Sequence, residues 1–186
     1  MTKQLTEFLK FELRPYQQHI KCECDKWDDR RIDIIYDSLG NCGKSILSEW
    51  LEYEEIAEEV PPYRSMEDIM GWVCTRPIKK VYIFDMPRGM KKDKLADFYA
   101  GIESIKNGIA YDKRYTAKKI RFDRPRVFVF TNSTPVFELL SKDRWIIWDM
   151  KPGYNVDLYS AEEWSAFQAN PNFVNDGFIK ACDGLK

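Results

Sequence analysis

A chain of 186 residues, 44% apolar and 15% aromatic, can build one sizeable core and falls outside the composition of disordered proteins. A net charge of −1 excludes a uniformly polycationic binder, and no apolar run approaches the roughly 18 residues of a membrane span. The five cysteines (22, 24, 42, 74 and 182) are odd in number and fit no zinc spacing. They read as reduced thiols in an intracellular setting, and Met1 to Phe11 mixes charged and apolar residues too evenly for a signal peptide.

Residues 1–27 read as two short helices broken near Arg14-Pro15, with Leu5, Phe8 and Leu9, then Tyr16, Ile20 and Cys24, as apolar stripes. From there to residue 150 strand and helix patterns alternate. A buried strand at 31–36 leads to a helix at 44–54, a short extended piece near 56–60 and a helix at 65–74. The strand Val81-Tyr82-Ile83-Phe84 is too apolar for a wet face, and a helix opens at Asp93, a plausible N-cap. A hairpin with arms near 107–111 and 117–122 comes next. The buried strand Val127-Phe128-Val129-Phe130, a short helix after Pro135 and a last strand at 144–148 complete the series. Continuous apolar strands alternating with helices predict an α/β fold with a mainly parallel sheet covered on both faces. Residues 151–186 carry two weaker helical patterns, 161–168 and 174–181. The expected organisation is a helical segment 1–27, a core 28–150 and an extension 151–186.

Three strand ends carry chemistry. Asp37-Ser38-Leu39-Gly40-Asn41-Cys42-Gly43-Lys44-Ser45 lies between a strand and a helix, the context in which a glycine-containing loop cradles phosphates. Backbone N–H groups of Gly40, Asn41, Cys42 and Gly43 would face the phosphates. Lys44 would reach the β/γ-phosphates, and the Ser45 hydroxyl would sit on Mg²⁺. The usual pattern starts with glycine where this chain has Ser38, so the loop alone would also pass for a strand-to-helix turn. Asp85 ends the second buried strand, where a carboxylate suits a Mg²⁺ shell; the alternative is a turn cap before Pro87. Asn132 ends the third, where an amide can bond both water and a γ-phosphate; Thr131-Asn132-Ser133 would otherwise be an ordinary turn. In open α/β sheets ligands bind at the carboxyl ends of strands, and all three pieces lie there. The position after Asp85, where a second acid would orient the attacking water, is Met86.

Taken in order, these residues resemble the superfamily-3 helicase domain of replication initiator (Rep) proteins from circular, Rep-encoding single-stranded DNA viruses. Gly40-Asn41-Cys42-Gly43-Lys44-Ser45 is similar to that family's Walker A, Ile83-Phe84-Asp85-Met86-Pro87-Arg88 to its Walker B, and Phe130-Thr131-Asn132 to its motif C. Leu13-Arg14-Pro15-Tyr16-Gln17 is similar to its lead-in, so the resemblance covers roughly residues 13–150. It implies a P-loop NTPase of AAA+-like architecture that hydrolyses ATP with Mg²⁺ and assembles as a homo-oligomeric, hexameric ring. Such a ring translocates 3′-to-5′ on single-stranded DNA during rolling-circle replication in the host nucleus. It further implies that residues 1–27 serve oligomerisation. From Lys113 to Arg126 seven basic residues face one acid, Asp123. This stretch is similar to the family's DNA-contacting hairpin, with Lys113, Arg114, Tyr115, Lys118 and Lys119 as contacts. The physical reading agrees, since cations neutralise phosphate and Tyr stacks on a base. Leu140-Ser141-Lys142-Asp143-Arg144-Trp145 is similar to the segment that supplies an arginine finger, implying that Arg144 acts on a neighbouring subunit's nucleotide; an ordinary salt bridge is its plainer role. Arg88 is a lesser candidate.

Rep proteins also carry a nicking domain with a His-hydrophobic-His metal site. The single histidine here, His19, cannot build one, so the expectation is the helicase portion of a longer protein. Two other readings stand beside this one. Met86 in place of an acid fits a nucleotide-dependent assembly or DNA-binding module with little hydrolysis, and RNA helicases of the same superfamily share the motif set. A small-molecule kinase is disfavoured, because no Arg-rich lid follows in the usual place and the basic hairpin has no purpose there.

Overall fold

Apolar, β-branched and aromatic runs in this chain are short and punctuated, and they assemble into one sheet. The computed structural model describes residues 1–170 apart from Leu39, Arg64, Pro87, Arg88, Lys91, Tyr115 and Thr116, and apart from the side chains of Lys92 and Asp93. The expected Asp93 cap, Arg88, Tyr115 and the 174–181 helix therefore lie outside the described residues.

The helices are α1 (Lys3–Phe8), α2 (Pro15–Cys24), α3 (Lys44–Tyr53), α4 (Met66–Cys74), α5 (Lys92–Lys106) and α6 (Ala161–Ala169). The strands are β1 (Ile32–Tyr36), β2 (Ala57–Val60), β3 (Val81–Asp85), β4 (Ile109–Asp112), β5 (Lys118–Arg121), β6 (Arg126–Thr131), β7 (Trp145–Met150) and β8 (Val156–Ser160). Six strands form the central sheet in the order β2-β3-β6-β1-β7-β8, and β4 and β5 pair separately as an antiparallel hairpin. All neighbours in the large sheet are parallel except β8, which runs antiparallel to β7. The fold is α/β with a mostly parallel sheet, as the strand pattern predicts. The residue 56–60 piece is a true edge strand, and Val156–Ser160 extends the same sheet. That last strand was not expected.

Alternation along each strand sorts side chains into two cores. Ile35, Val81, Ile83, Phe128, Phe130 and Trp148 meet α3 and the two N-terminal helices through Leu47, Leu51, Leu5, Tyr16 and Ile20. Ile34, Tyr82, Phe84, Val127 and Val129 meet α4, α5 and α6 on the other face. Each fully buried Val or Phe of β6 contributes roughly 1.5–3 kcal/mol, so this central strand anchors the sheet. Local signals start the helices. Pro15 opens α2, the Ser65 hydroxyl accepts from Asp68 N–H at 3.1 Å, and Ser160 and Glu163 close a capping box on α6.

Toward the amino ends of the strands lies a buried charge cluster. Arg126 lies 3.0 Å from Asp33 Oδ2 and also pairs with Glu23, while Arg31 Nε and Trp148 Nε1 donate to Asp33 Oδ1 at 2.6 and 2.9 Å. Burial pushes the Asp33 carboxyl up, against Arg31, Arg126 and Trp148, which pull it down. The cluster joins α2 to β1, β6 and β7, so the N-terminal helices are fastened to the core by charge as well as packing. Among the described residues no helix is long and apolar enough to cross a membrane.

Candidate functional site

Register brings three of the predicted residues to one end of the sheet. Tyr36 pairs with Thr131 and Asp85 with Phe130, so the segments after β1, β3 and β6 leave the sheet side by side. Backbone bonds stitch them together: Asp37 N–H donates to Thr131 O at 3.0 Å, Met86 N–H to Phe130 O at 2.8 Å, and Asn132 Nδ2 to the Asp37 carbonyl. Lys44, Asp85 and Asn132 thus share one rim. Ser45, exposed on the first turn of α3, completes it. Hydroxyl and carboxylate oxygens are the hard donors that Mg²⁺ prefers, so Ser45 and Asp85 fit that ion chemically.

The loop is held in a cradle shape. Gly43 sits at φ 88°, a left-handed conformation that turns the chain into α3 and that a β-carbon would strain. From α2, Tyr16 Oη donates to the Cys42 carbonyl at 3.0 Å, Arg14 Nη1 donates to the same oxygen, and Gln17 Nε2 reaches the Gly43 carbonyl at 3.3 Å. The Arg14-Pro15-Tyr16-Gln17 lead-in is therefore a brace for the loop's carbonyls.

Lys44 is already partnered. Its Nζ donates to Asp37 Oδ2 at 2.8 Å, and Asp37 Oδ1 accepts from Gly40 N–H at 2.8 Å. Burial pushes the Asp37 carboxyl up, but bonds from Cys42, Lys44 and Gly40 outweigh it and hold it below the usual carboxylate range. A phosphate entering the loop competes with Asp37 for both the lysine and an N–H group.

Met86 points away from this rim into the second core, where Tyr99 Oη donates to its sulfur at 3.6 Å. An acid exists elsewhere. On β2, paired in register with β3, Glu59 lies level with Ile83 and shares the face that carries Asp85 and α3. Its carboxylate lies near the Ser48 hydroxyl, one turn of α3 beyond Ser45; that hydroxyl itself donates to the Lys44 carbonyl at 3.4 Å. Burial raises the Glu59 pKa, and the charges of Glu52 and Asp85 add to it, while Ser48 opposes it. The alternating Ala57-Glu58-Glu59-Val60 pattern puts Glu59 opposite Val60, but only the strand order places it beside Asp85.

The other predicted residues lie apart from this rim. Arg144 immediately precedes β7 and so lies at the amino end of the strands, buried against α5, with Nη2 3.2 Å from both Glu103 Oε1 and Asn107 Oδ1. Its Nε and Nη1 are buried without a hydrogen-bond partner among the described residues. Asp143 pairs with Arg30 instead, at 2.6 Å. The hairpin is formed as expected and lies along α4. Lys113 pairs with Glu67 at 2.5 Å, Arg114 with Asp112 at 3.0 Å and Asp68 at 3.5 Å, and Lys118 Nζ donates to the Cys74 carbonyl at 3.0 Å. Arg114 crosses α4 at Gly71, where a β-carbon would come within 2.0 Å of its Nη2. Lys119 is exposed.

Among the described residues, clefts open at both ends of the sheet. One of about 350 Å³ adjoins the loop, between Asn41 and Cys42 and the turn at 150–154. A larger one, about 580 Å³ near Trp27 and Ile78, opens at the amino ends of the strands, remote from Lys44.

No family model matches the chain. It is similar to Para-Rep C10 of the Milk vetch dwarf C10 alphasatellite, 31% identical over 137 residues, which is 72% of this chain and 47% of that protein. Para-Rep C7 of the Faba bean necrotic yellows C7 alphasatellite is 30% identical over 137 residues, with the same coverage. The chain spans about half the length of these curated relatives.

Proposed function

We propose that this chain is the ATP-driven helicase portion of a viral replication initiator, a superfamily-3 P-loop ATPase that moves single-stranded DNA through a homo-oligomeric ring. The observation that carries this reading is the convergence of Lys44, Asp85 and Asn132 on one rim at the carboxyl ends of three adjacent strands. The similarity to alphasatellite Para-Rep proteins supports the replication context.

In this reading the loop N–H groups and the positive end of α3 bind the triphosphate, and Lys44 leaves Asp37 for the β/γ-phosphates. Mg²⁺, held by Ser45 and Asp85, supplies charge that neutralises the phosphate oxygens when bound. Asn132 orients the attacking water, and Glu59 takes up the proton that an acid after Asp85 would otherwise receive. Arg144 acts in trans, and ring assembly has to draw it from Glu103 and Asn107. The hairpin cations exchange Glu67 and Asp68 for DNA phosphate.

The test is phosphate release from ATP–Mg²⁺ with and without single-stranded DNA, for wild type and Asp85→Asn. DNA-stimulated turnover that Asp85→Asn abolishes is expected. The burial of Met86 favours a second reading, a nucleotide-dependent assembly module: tight binding without turnover would select it. Competition between matched single-stranded DNA and RNA at fixed salt decides the polymer.

A further inference from the structure

We propose that Glu52 is a positioning residue for Glu59: it fastens the edge strand β2 to α3, the helix that starts at Lys44 and Ser45, and so holds the Glu59 carboxylate beside Asp85. This rests on the reading of Glu59 as the group that takes up the proton of the attacking water.

Glu59 needs such a hold because of where it lies. β2 is four residues long, forms one edge of the central sheet and pairs only with β3. A short edge strand leaves backbone N–H groups without a strand partner and opens more easily than the strands inside the sheet. A base on such a strand would spend part of its time out of reach, and a misplacement of about 1 Å can cost roughly a hundredfold in rate.

The helix supplies what the edge lacks. The Glu59 N–H donates to Glu52 Oε1 at 2.8 Å, so α3 holds the backbone of the proposed base as well as facing its side chain. Ser45, Ser48 and Glu52 are spaced by three and then four residues and follow one another along one face of α3. Ser45 stands on the rim, Ser48 is buried near the Glu59 carboxylate, and Glu52 meets the Glu59 amide. The residues expected to hold nucleotide and the residue that anchors the base therefore belong to one rigid element.

The joint between the two elements is tight. Glu55 N–H donates to the Glu52 carbonyl at 3.0 Å and Ile56 N–H to the Leu51 carbonyl at 2.9 Å, with Glu55 in a left-handed conformation at φ 57°. A non-glycine residue keeps that conformation only where its surroundings hold it. Glu58, on the opposite face of β2, is anchored separately by Arg76 Nε at 3.1 Å. The two acids of the strand thus have different anchors, and the one at Glu59 is Glu52.

The test follows ATP turnover, ADP affinity and NMR amide exchange at Glu59 in wild type, Glu52→Ala and Glu52→Gln. Alanine keeps the helix and removes the acceptor, whereas glutamine keeps a carbonyl acceptor in the same place. Glu52→Ala should lower kcat roughly ten- to a hundredfold, leave KM and ADP affinity within about twofold, and speed exchange of the Glu59 amide roughly tenfold. Glu52→Gln should stay within about threefold of wild type in every readout, because the hydrogen bond survives. Wild-type kcat in Glu52→Ala overturns the proposal. So does an equal fall in both variants, which would make the charge rather than the hydrogen bond the cause. A parallel loss of ADP affinity also overturns it, since Glu52 would then support the helix as a whole. Failure of the underlying reading looks different: Glu59→Gln would turn over ATP like wild type, and the positioning role would fall with it. A wild type without turnover removes the reading and the proposal together.

Discussion

Replacing Asp37 by asparagine should tighten nucleotide binding, which runs against the usual effect of mutating a loop residue. In the free protein Lys44 Nζ is 2.8 Å from Asp37 Oδ2, with side-chain exposures of only 11% and 3%. A phosphate must take the lysine from this carboxylate, and a hydrogen bond between charged groups is worth about 1.5–3 kcal/mol net. Asparagine keeps an oxygen for Gly40 N–H, so the loop shape survives while the competing charge is lost. Removing that charge also removes repulsion between Asp37 and the phosphates, an effect of the same sign. The expected gain is about ten- to a hundredfold in affinity for ADP, measured by calorimetry at fixed ionic strength. The carboxyl is held below the ordinary range, so the pair contributes stability above the unfolded carboxylate pKa and loses it only as pH falls through the folded value. Across neutral pH the gain should therefore be constant. Unchanged or weaker binding in a folded Asp37→Asn protein would refute the competition.

Glu59→Gln should lower ATP turnover by about 10²–10⁴ while leaving ADP affinity near wild type; equal turnover would move water activation elsewhere. Arg126→Met should destabilise the fold by about 1–3 kcal/mol because it leaves the buried Asp33 Oδ2 without its cation while Arg31 and Trp148 still hold Oδ1, as read by denaturant titration; unchanged stability would contradict it. Lys106 is buried with Nζ donating to the Asp28 and Pro125 carbonyls, and burial lowers its pKa to about 8. Between that value and the unfolded 10.5 the unfolded chain binds more protons, so stability attributable to this group rises with pH. Relative to Lys106→Met, wild type should gain roughly 1 kcal/mol from about pH 7.5 to about pH 9, and parallel melting profiles would contradict the shift. Lys113→Ala should weaken single-stranded DNA binding evenly across sequences and reduce the salt slope by about one; an unchanged salt slope would show that Lys113 stays with Glu67.

Much of the framework was legible because it is local. The runs at 81–84 and 127–130 are continuous and apolar and 32–36 is broken only by Asp33, so their burial and their polar exits at Asp37, Asp85 and Asn132 could be read directly. Pro15 and Gly43 mark helix starts by backbone chemistry alone. What escaped the sequence depends on strand order. Glu59 looks like one of several acids between Glu49 and Glu59 until β2 is placed against β3. The turn at 150–154 has no visible partner until β7 is placed against β1, and β8, only five residues with two polar ones, is a weak strand that pairing rescues. Arg144 sits in a polar Lys142-Asp143-Arg144 run that reads as surface, yet the approach of α5 buries it. Asp37 was visible as part of the loop, but its hold on Lys44 arises only when the loop folds back over its own start.

Lys44 and the loop are the centre of the proposed triphosphate site. Titrating ATP–Mg²⁺ into wild type and Lys44→Ala, with unfolding curves to show that both are native, tests it most directly. Saturable binding by wild type and a loss of about a hundredfold or more in Lys44→Ala is the predicted result. Equal affinity in the two proteins would contradict the account.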